Sequence, residues 1–133
     1  MTPPPGGLRS RGSVGAVLAG AAVALGAFGA HALDGVLSTS RLETFETAVR
    51  YQFFHALALL ILHQSQLAGA MSHAAVRRVG MTLVAGTAIF SGALYALVAT
   101  DVGAFGAIAP VGGGLLLLGW GQWAWSARPR RPS

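Results

Sequence analysis

The chain alternates between long uncharged stretches and short stretches that carry the charges. Four windows contain no Asp, Glu, Lys or Arg, namely 12–33, 51–76, 79–100 and 102–127. A helix needs about 20 residues to cross the roughly 30 Å hydrocarbon core of a bilayer, so each window can hold one span and none can hold two. The pattern predicts an all-α fold, a four-helix transmembrane bundle with spans at about 12–33, 48–66, 78–100 and 106–126.

The composition also indicates a membrane protein. Of the 133 residues, 53% are hydrophobic and only 10% are charged, and the mean hydropathy is +0.60. A soluble domain has about 25% charged residues, so this chain cannot cover a water-facing surface. An ordinary soluble enzyme and a disordered chain are therefore excluded. The absence of cysteine excludes disulfides, thiolate catalysis and Cys-ligated metals.

The distribution of arginines predicts the orientation. All nine basic residues are arginines and the net charge is +5. Seven of them lie in the two tails or between the second and third windows: Arg9, Arg11, Arg77, Arg78, Arg128, Arg130 and Arg131. In an up-down-up-down bundle these segments share one side, and the positive-inside rule places both termini in the cytoplasm. We expect a multi-pass protein of the cell (inner) membrane, in contact with the lipid bilayer and without a nucleic-acid partner, because the arginines border apolar runs.

The same reasoning divides the chain into a membrane domain, 12–127, and two tails. The N-terminal tail, 1–11, and the basic C-terminal tail, 128–133, have few apolar residues to bury and are expected to be disordered. One alternative is a signal peptide cleaved after Ala30-His31-Ala32. The preceding apolar run is longer than the roughly 7–15 residues typical of a signal peptide, which favours a retained span.

Small residues are expected to mediate helix packing, since in lipid the helices associate through close van der Waals contact. The positions that the sequence assigns to packing are Gly26, Gly29, Gly92, Pro110, Gly112 and Gly113. Pro110 is expected near the start of the fourth helix, where its missing N–H costs nothing.

Residues 40–50 are predicted to form an amphipathic lead-in on the outer surface, continuous with the second span. Ser40 and Glu43 have the spacing of a capping box. Glu46 and Arg50 have the i,i+4 spacing of a helical ion pair in the favourable order.

Several stretches resemble the YgdD/YwdK-like family of small membrane proteins (UPF0382-like), a domain of unknown function. They are GAFGAHAL at 26–33, FETAVRYQFFH at 45–55, SGALY at 91–95, PVGG at 110–113 and the closing Gly119-Trp120. The resemblance is ordered and covers most of the chain. It implies a four-helix membrane protein, argues against cleavage at Ala32 and implies no activity.

Polar residues collect at one depth in the predicted bundle, near its outer face. The candidate cluster consists of His31, Glu46, Arg50, Tyr51, Gln52, His55, Ser91 and Tyr95. The middle of the bilayer is predicted to be almost purely apolar. Ionisable residues in a span are costly, and they indicate a function unless they pair or serve as packing.

Structural roles account for many of these residues, and three sharper hypotheses stay open beside them. His31 and His55 could ligate a metal or haem, Glu46 or His55 could act as an acid–base, and an oligomer could form a transporter or channel. The sequence contains no metal-binding motif and no recognisable catalytic set. It therefore favours a non-enzymatic accessory or scaffold protein that binds another membrane protein, itself or lipid through the polar cluster, with no metal or cofactor.

Overall fold

Four helices run alternately up and down, joined by short turns. The computed structural model describes residues 7–129, with side chains from residue 12 onward. The elements are α1 (Gly7–Phe28), a π-helical segment that continues it (Gly29–Leu33), α2 (Thr39–Leu67), α3 (His73–Thr100) and α4 (Gly103–Ser126). We call the end where α1 begins and α4 ends the terminal end. The prediction of an all-α bundle is confirmed.

The helices pack in chain order, so that α2 and α3 are the inner pair. α2 contacts α1 on one side and α3 on the other, and α4 packs on α3. Within residues 7–129, no Cα atom of α1 lies within 8 Å of one in α3 or α4. The bundle is therefore open along α1, and gaps between helices face the surroundings of the protein.

Three helical segments are long and apolar enough to cross a membrane. They are Gly12–Leu33, His73–Thr100 and Gly103–Ser126. α2 has the length, but its histidines and glutamines lower its hydropathy. It nevertheless pairs with α1 along the whole apolar segment, from Phe45 beside Gly29 to His63 beside Gly12. α2 therefore lies alongside the candidate span of α1 over that length.

The interior has two halves of different chemistry. The terminal half holds the apolar core, formed by Ala58, Leu59, Leu62, Met71, Val76, Val79, Leu83 and Leu116. The other half buries Gln52, His55 and Ser91 among its apolar side chains. Burial of apolar side chains does not favour helix association in lipid, so hydrogen bonds and close packing must hold this second half together.

Helix boundaries differ from those expected in several places. α1 begins at Gly7, inside the predicted disordered tail, while residues 1–6 and 130–133 lie outside the described residues. Ser38, and not Ser40, caps α2, because its hydroxyl accepts a hydrogen bond from the Arg41 amide at 3.3 Å. α3 and α4 also begin earlier than expected, at His73 and Gly103.

Residues 40–50 are continuous with the second span, as predicted. They are the first three turns of the single helix α2 and pack against both neighbours. Phe45 is buried between Gly29 of the π-helical segment and the ring of Tyr95, whose centroid is 5.5 Å away. The charges near Arg50 had suggested a water-facing segment, but the apolar stripe that contains Phe45 lies inside the bundle.

Glycine allows α3 and α4 to approach most closely. Three pairs of a glycine and a large residue alternate along the interface: Leu83 with Gly119, Gly86 with Leu116, and Phe90 with Gly112. The large member changes from one helix to the other at each step, as in ridges packed into grooves. Gly86 and Gly119 were not among the residues assigned to packing.

The six assigned packing residues divide into two groups. Gly26, Gly29, Gly112 and Gly113 lie against a neighbouring helix. Gly92 and Pro110 are exposed, and a Cβ atom on Gly92 would meet nothing within 4 Å. These two positions face away from the neighbouring helices. Small-residue spacing identifies a smooth helix face without showing which neighbour, if any, covers it. Pro110 also lies inside α4 and not in its first turn, since α4 begins at Gly103.

Candidate functional site

A hydrogen-bonded cluster connects all four helices: Gln52 and His55 of α2, Ser91 and Tyr95 of α3, and Trp120 of α4. Gln52 is at its centre. Its amide nitrogen donates to the Leu18 carbonyl oxygen of α1 at 2.9 Å, and its amide oxygen accepts the Tyr95 hydroxyl at 2.8 Å. Ser91 donates to the Ala48 carbonyl oxygen at 2.8 Å. α2 is thereby attached to α1 and α3 by side-chain donors inside the bundle.

His55 extends the cluster to α4. The Trp120 indole nitrogen lies 3.1 Å from His55 Nε2, and His55 Nδ1 lies 2.7 Å from the Tyr51 carbonyl oxygen. Indole is only a donor, so Nε2 must be the acceptor and Nδ1 must carry the proton. The neutral Nδ1–H tautomer of His55 is therefore fixed by both of its neighbours.

Both ring nitrogens of His55 already have a hydrogen-bond partner, which counts against a role for His55 as a ligand of a metal or haem. A ligating histidine offers one free nitrogen to the metal. His31, the other proposed ligand, is exposed on the π-helical segment and has no hydrogen bond to the cluster. Among residues 7–129 no three His, Asp or Glu side chains converge as metal ligands would. The tertiary structure does not bring His31 and His55 together as a site.

The eight predicted polar residues therefore do not form one pocket. Gln52, His55, Ser91 and Tyr95 are turned inward and bonded to the protein. Tyr51 lies at the edge, with its ring 4.4 Å from that of Phe90 and 6.0 Å from that of His55. His31, Glu46 and Arg50 are exposed. Spacing along the chain predicted similar depths for these residues but could not predict their directions around the helix axes.

The depth assigned to the cluster also changes. The sequence placed the start of the second span at about residue 48, close to the last charge, Arg50. Because α2 begins at Thr39 and ends at Leu67, Gln52 and His55 lie near the middle of its length and not near its beginning. The polar groups there are tolerated because they are buried and hydrogen-bonded.

Glu46 and Arg50 border a groove between α1 and α2, which we call the charged groove. It has a volume of about 300 Å³, and its other walls are Ala22, Val23, Gly26, Gly29, Phe45, Val49 and Phe53. The expected ion pair between Glu46 and Arg50 is not formed. Within the described part of the chain neither side chain has an ion-pair or hydrogen-bond partner. Two opposite charges, one helical turn apart, are thus available beside an apolar groove.

Arg41 connects the beginning of α2 to the end of α3, a contact that the sequence reasoning missed. Its guanidinium donates to the Leu97 carbonyl oxygen at 2.7 Å and forms an ion pair with Asp101. Asp101 ends α3 in the left-handed conformation, with φ of 58°. Charges at the same end of two successive helices were the signal that could have revealed this pair.

We expect Asp101→Asn to lower the free energy of unfolding by less than about 1 kcal/mol, because the Asp101 side chain is 80% exposed. Asparagine also tolerates the left-handed conformation, so the backbone is not strained. Arg41→Gln should cost more, since it also removes the bond to Leu97. Unfolding by SDS in dodecylmaltoside micelles measures both. If Asp101→Asn lowered the free energy of unfolding as much as Arg41→Gln, the hydrogen bond from Arg41 to Leu97 would contribute nothing, contrary to this prediction.

The three tryptophans near the end of α4, Trp120, Trp123 and Trp125, do not share one environment. The Trp120 indole reaches inward to His55, while its ring stacks on that of Trp123, with centroids 5.4 Å apart. Trp125 remains exposed at the terminal end beside the Arg128 guanidinium, 4.1 Å from the ring centroid.

Comparison with known proteins identifies relatives but no activity. Residues 25–113 match the family described as "Protein of unknown function (DUF423)". A UPF0382 membrane protein of Staphylococcus aureus (strain bovine RF122), SAB0533, is 44% identical over 80% of this chain and 85% of its own length. The UPF0382 membrane protein YwdK of Bacillus subtilis is 40% identical over 80% of this chain and 86% of its own length. No solved structure matches the chain. The predicted resemblance is confirmed, and the chain belongs to the DUF423 family of membrane proteins.

Proposed function

We propose that the protein is a non-enzymatic accessory or scaffold protein of the cell (inner) membrane that recognises another membrane protein laterally, through the charged groove. The observation that carries the proposal is the pair of exposed, unpartnered charges, Glu46 and Arg50, at the edge of an apolar groove. A charge within a membrane-spanning helix is costly unless something pairs with it. A partner helix with complementary charges would remove that cost.

The hydrogen-bonded cluster supports a scaffold role and not a catalytic one. Gln52 and His55 use their side-chain groups to bind other helices, and the Ser91 hydroxyl donates its proton to a backbone carbonyl. No base within hydrogen-bond reach activates Ser91 among the described residues. The cluster holds α1 and α3 on α2, and so it fixes the walls of the groove.

The geometry of the groove also suggests what a partner must offer. Ala22 and Gly26 of α1 belong to one wall, and such small residues permit a close approach. Phe53 and Val49 lie on α2 next to the charges. A partner helix would place an acidic group opposite Arg50 and a basic or amide group opposite Glu46, one turn apart.

A photocrosslinking residue in place of Phe53 tests this in intact membranes. Phe53 lines the groove, so its replacement leaves both charges in place. We expect a discrete protein adduct that decreases about tenfold when Glu46 and Arg50 are exchanged, a loss equivalent to about 1.4 kcal/mol. The exchange keeps the net charge and reverses only the order of the two groups.

The matched control is the same crosslinking residue at Leu117, which is 76% exposed on α4. It should give no adduct that depends on the charge order. An adduct at Phe53 that is unchanged by the exchange, or that also forms from Leu117, would contradict recognition through the groove.

A further inference from the structure

A second cavity lies at the terminal end, on α2 and between α1 and α3. It has a volume of about 440 Å³, which is within the range of about 300–1,000 Å³ usual for ligand sites. Leu59 and Leu62 belong to its α2 wall, Val14 to its α1 wall, and Val76 and Val84 to its α3 wall. The cavity exists because α1 and α3 both pack on α2 without approaching each other. We call it the terminal cavity.

Two polar side chains interrupt this apolar lining. His63 has a buried Nδ1 atom without a hydrogen-bond partner among the described residues. The other side of its ring lies against Gly12, where a Cβ atom would be 3.1 Å from the ring. Arg77 lines the cavity with its side chain exposed and without an ion-pair partner in the described part of the chain. Since the Nδ1 atom is closed to water-sized molecules, the polar group that a ligand in the cavity can reach is the Arg77 guanidinium.

The charge around the terminal cavity is positive only. The four acidic residues of the chain are Asp34, Glu43, Glu46 and Asp101. None of them lines the cavity, and Asp34 and Asp101 follow the ends of the helices away from the termini. An anionic group at Arg77 therefore meets no nearby carboxylate.

We propose that the terminal cavity binds one acyl chain of an anionic phospholipid, with the phosphate held by Arg77. The apolar walls suit a hydrocarbon chain, and the gap between α1 and α3 opens sideways to the bilayer. Basic pockets between membrane helices recognise anionic lipid headgroups in this way. The arginine distribution assigns this end to the cytoplasmic leaflet, so the lipid comes from that leaflet.

This site is separate from the charged groove and shares no residue with it. Lipid binding here does not depend on the proposed accessory function, and either can be wrong without the other.

Arg77 and Arg78 give a matched pair for the test. Both are exposed arginines of α3, but only Arg77 lines the terminal cavity, while Arg78 lies within 3.5 Å of the Ser126 hydroxyl. Native mass spectrometry of the full chain in detergent would measure binding of added phosphatidylglycerol and phosphatidylcholine. We expect tighter binding of phosphatidylglycerol, reduced about fivefold by Arg77→Gln, as for the loss of one basic contact, and little changed by Arg78→Gln.

The acyl chain needs its own test. Ala85 is exposed and lines the cavity, so Ala85→Phe should fill part of it and weaken binding of both lipids. Phosphatidylglycerol with a photoreactive acyl chain should label the part of α2 at 59–63 and the part of α3 at 76–85. Equal effects of Arg77→Gln and Arg78→Gln, equal binding of the two lipids, or labelling confined to other surfaces would each overturn the proposal.

Discussion

Replacing Gly112 by alanine should destabilise the bundle by at least about 2 kcal/mol, as expected for an overpacked interface. A Cβ atom at this position would lie 2.7 Å from the Cα atom of Phe90 and closer still to its backbone nitrogen. Backbone atoms cannot rotate away as a side chain can. α3 and α4 would therefore have to separate along the interface that the Leu83–Gly119 and Gly86–Leu116 pairs share.

Gly114→Ala is the control for this prediction. Gly114 lies two residues further along α4, and a Cβ atom there would meet nothing within 4 Å. The change should be neutral within about 0.5 kcal/mol, or slightly stabilising, because alanine favours helix over glycine. Titration with SDS in dodecylmaltoside, followed by circular dichroism, gives both free energies of unfolding. If the two variants were equally stable, close contact of α3 and α4 at Gly112 would be disproved.

The second large effect is expected at Gln52. Gln52→Leu keeps the volume but removes the partner of the Tyr95 hydroxyl and the bond to the Leu18 carbonyl oxygen. A buried hydroxyl left without a partner costs about 1–3 kcal/mol in soluble proteins. Hydrogen bonds between membrane helices average only about 0.6 kcal/mol and reach about 1.7. We expect a loss near 1.7 kcal/mol, because two helices are released by one substitution.

A double-mutant cycle separates this effect from a general change in hydrophobicity. Tyr95→Phe alone leaves the Gln52 amide oxygen without its donor, and adding Gln52→Leu removes that cost. The double variant should therefore be less destabilised than the sum of the two single variants. Gln64→Leu changes an exposed glutamine of the same helix and should have little effect. Strict additivity of Gln52→Leu and Tyr95→Phe would show that the two side chains do not interact.

Most of the secondary structure could be predicted, because it depends on local properties. The helix ends coincide with changes in hydropathy and charge along the chain. Most arginines lie in the two tails and near the start of α3, which are at the same end of the bundle because successive helices run in opposite directions. The start of α2 was predicted closely by the helical lead-in at 40–50, whereas α3 begins at His73 and not at residue 78. Ser72 caps α3 before the arginines that marked the predicted start of this span.

The candidate site was predicted only in part, as the cases of Gln52 and Glu46 show. Both lie on α2, and their nearby positions in the chain predicted a similar depth in the bundle and a shared cluster. Gln52 is buried and bonded to two other helices, whereas Glu46 is exposed beside the charged groove. Their directions differ because α2 is covered by α1 and α3 on part of its circumference only. No property of the α2 sequence by itself states which part that is.

The sequence alone determined a membrane protein of four alternating helices and its relationship to the DUF423 family. These features depend on residues that are close in the chain. The tertiary structure decided which polar groups bind one another and which stay available. The bonds that define the cluster join residues 34, 43 and 65 positions apart. Such pairs form only after the helices have packed, because the rotation of each helix is set by the close contacts at positions such as Gly29 and Gly112.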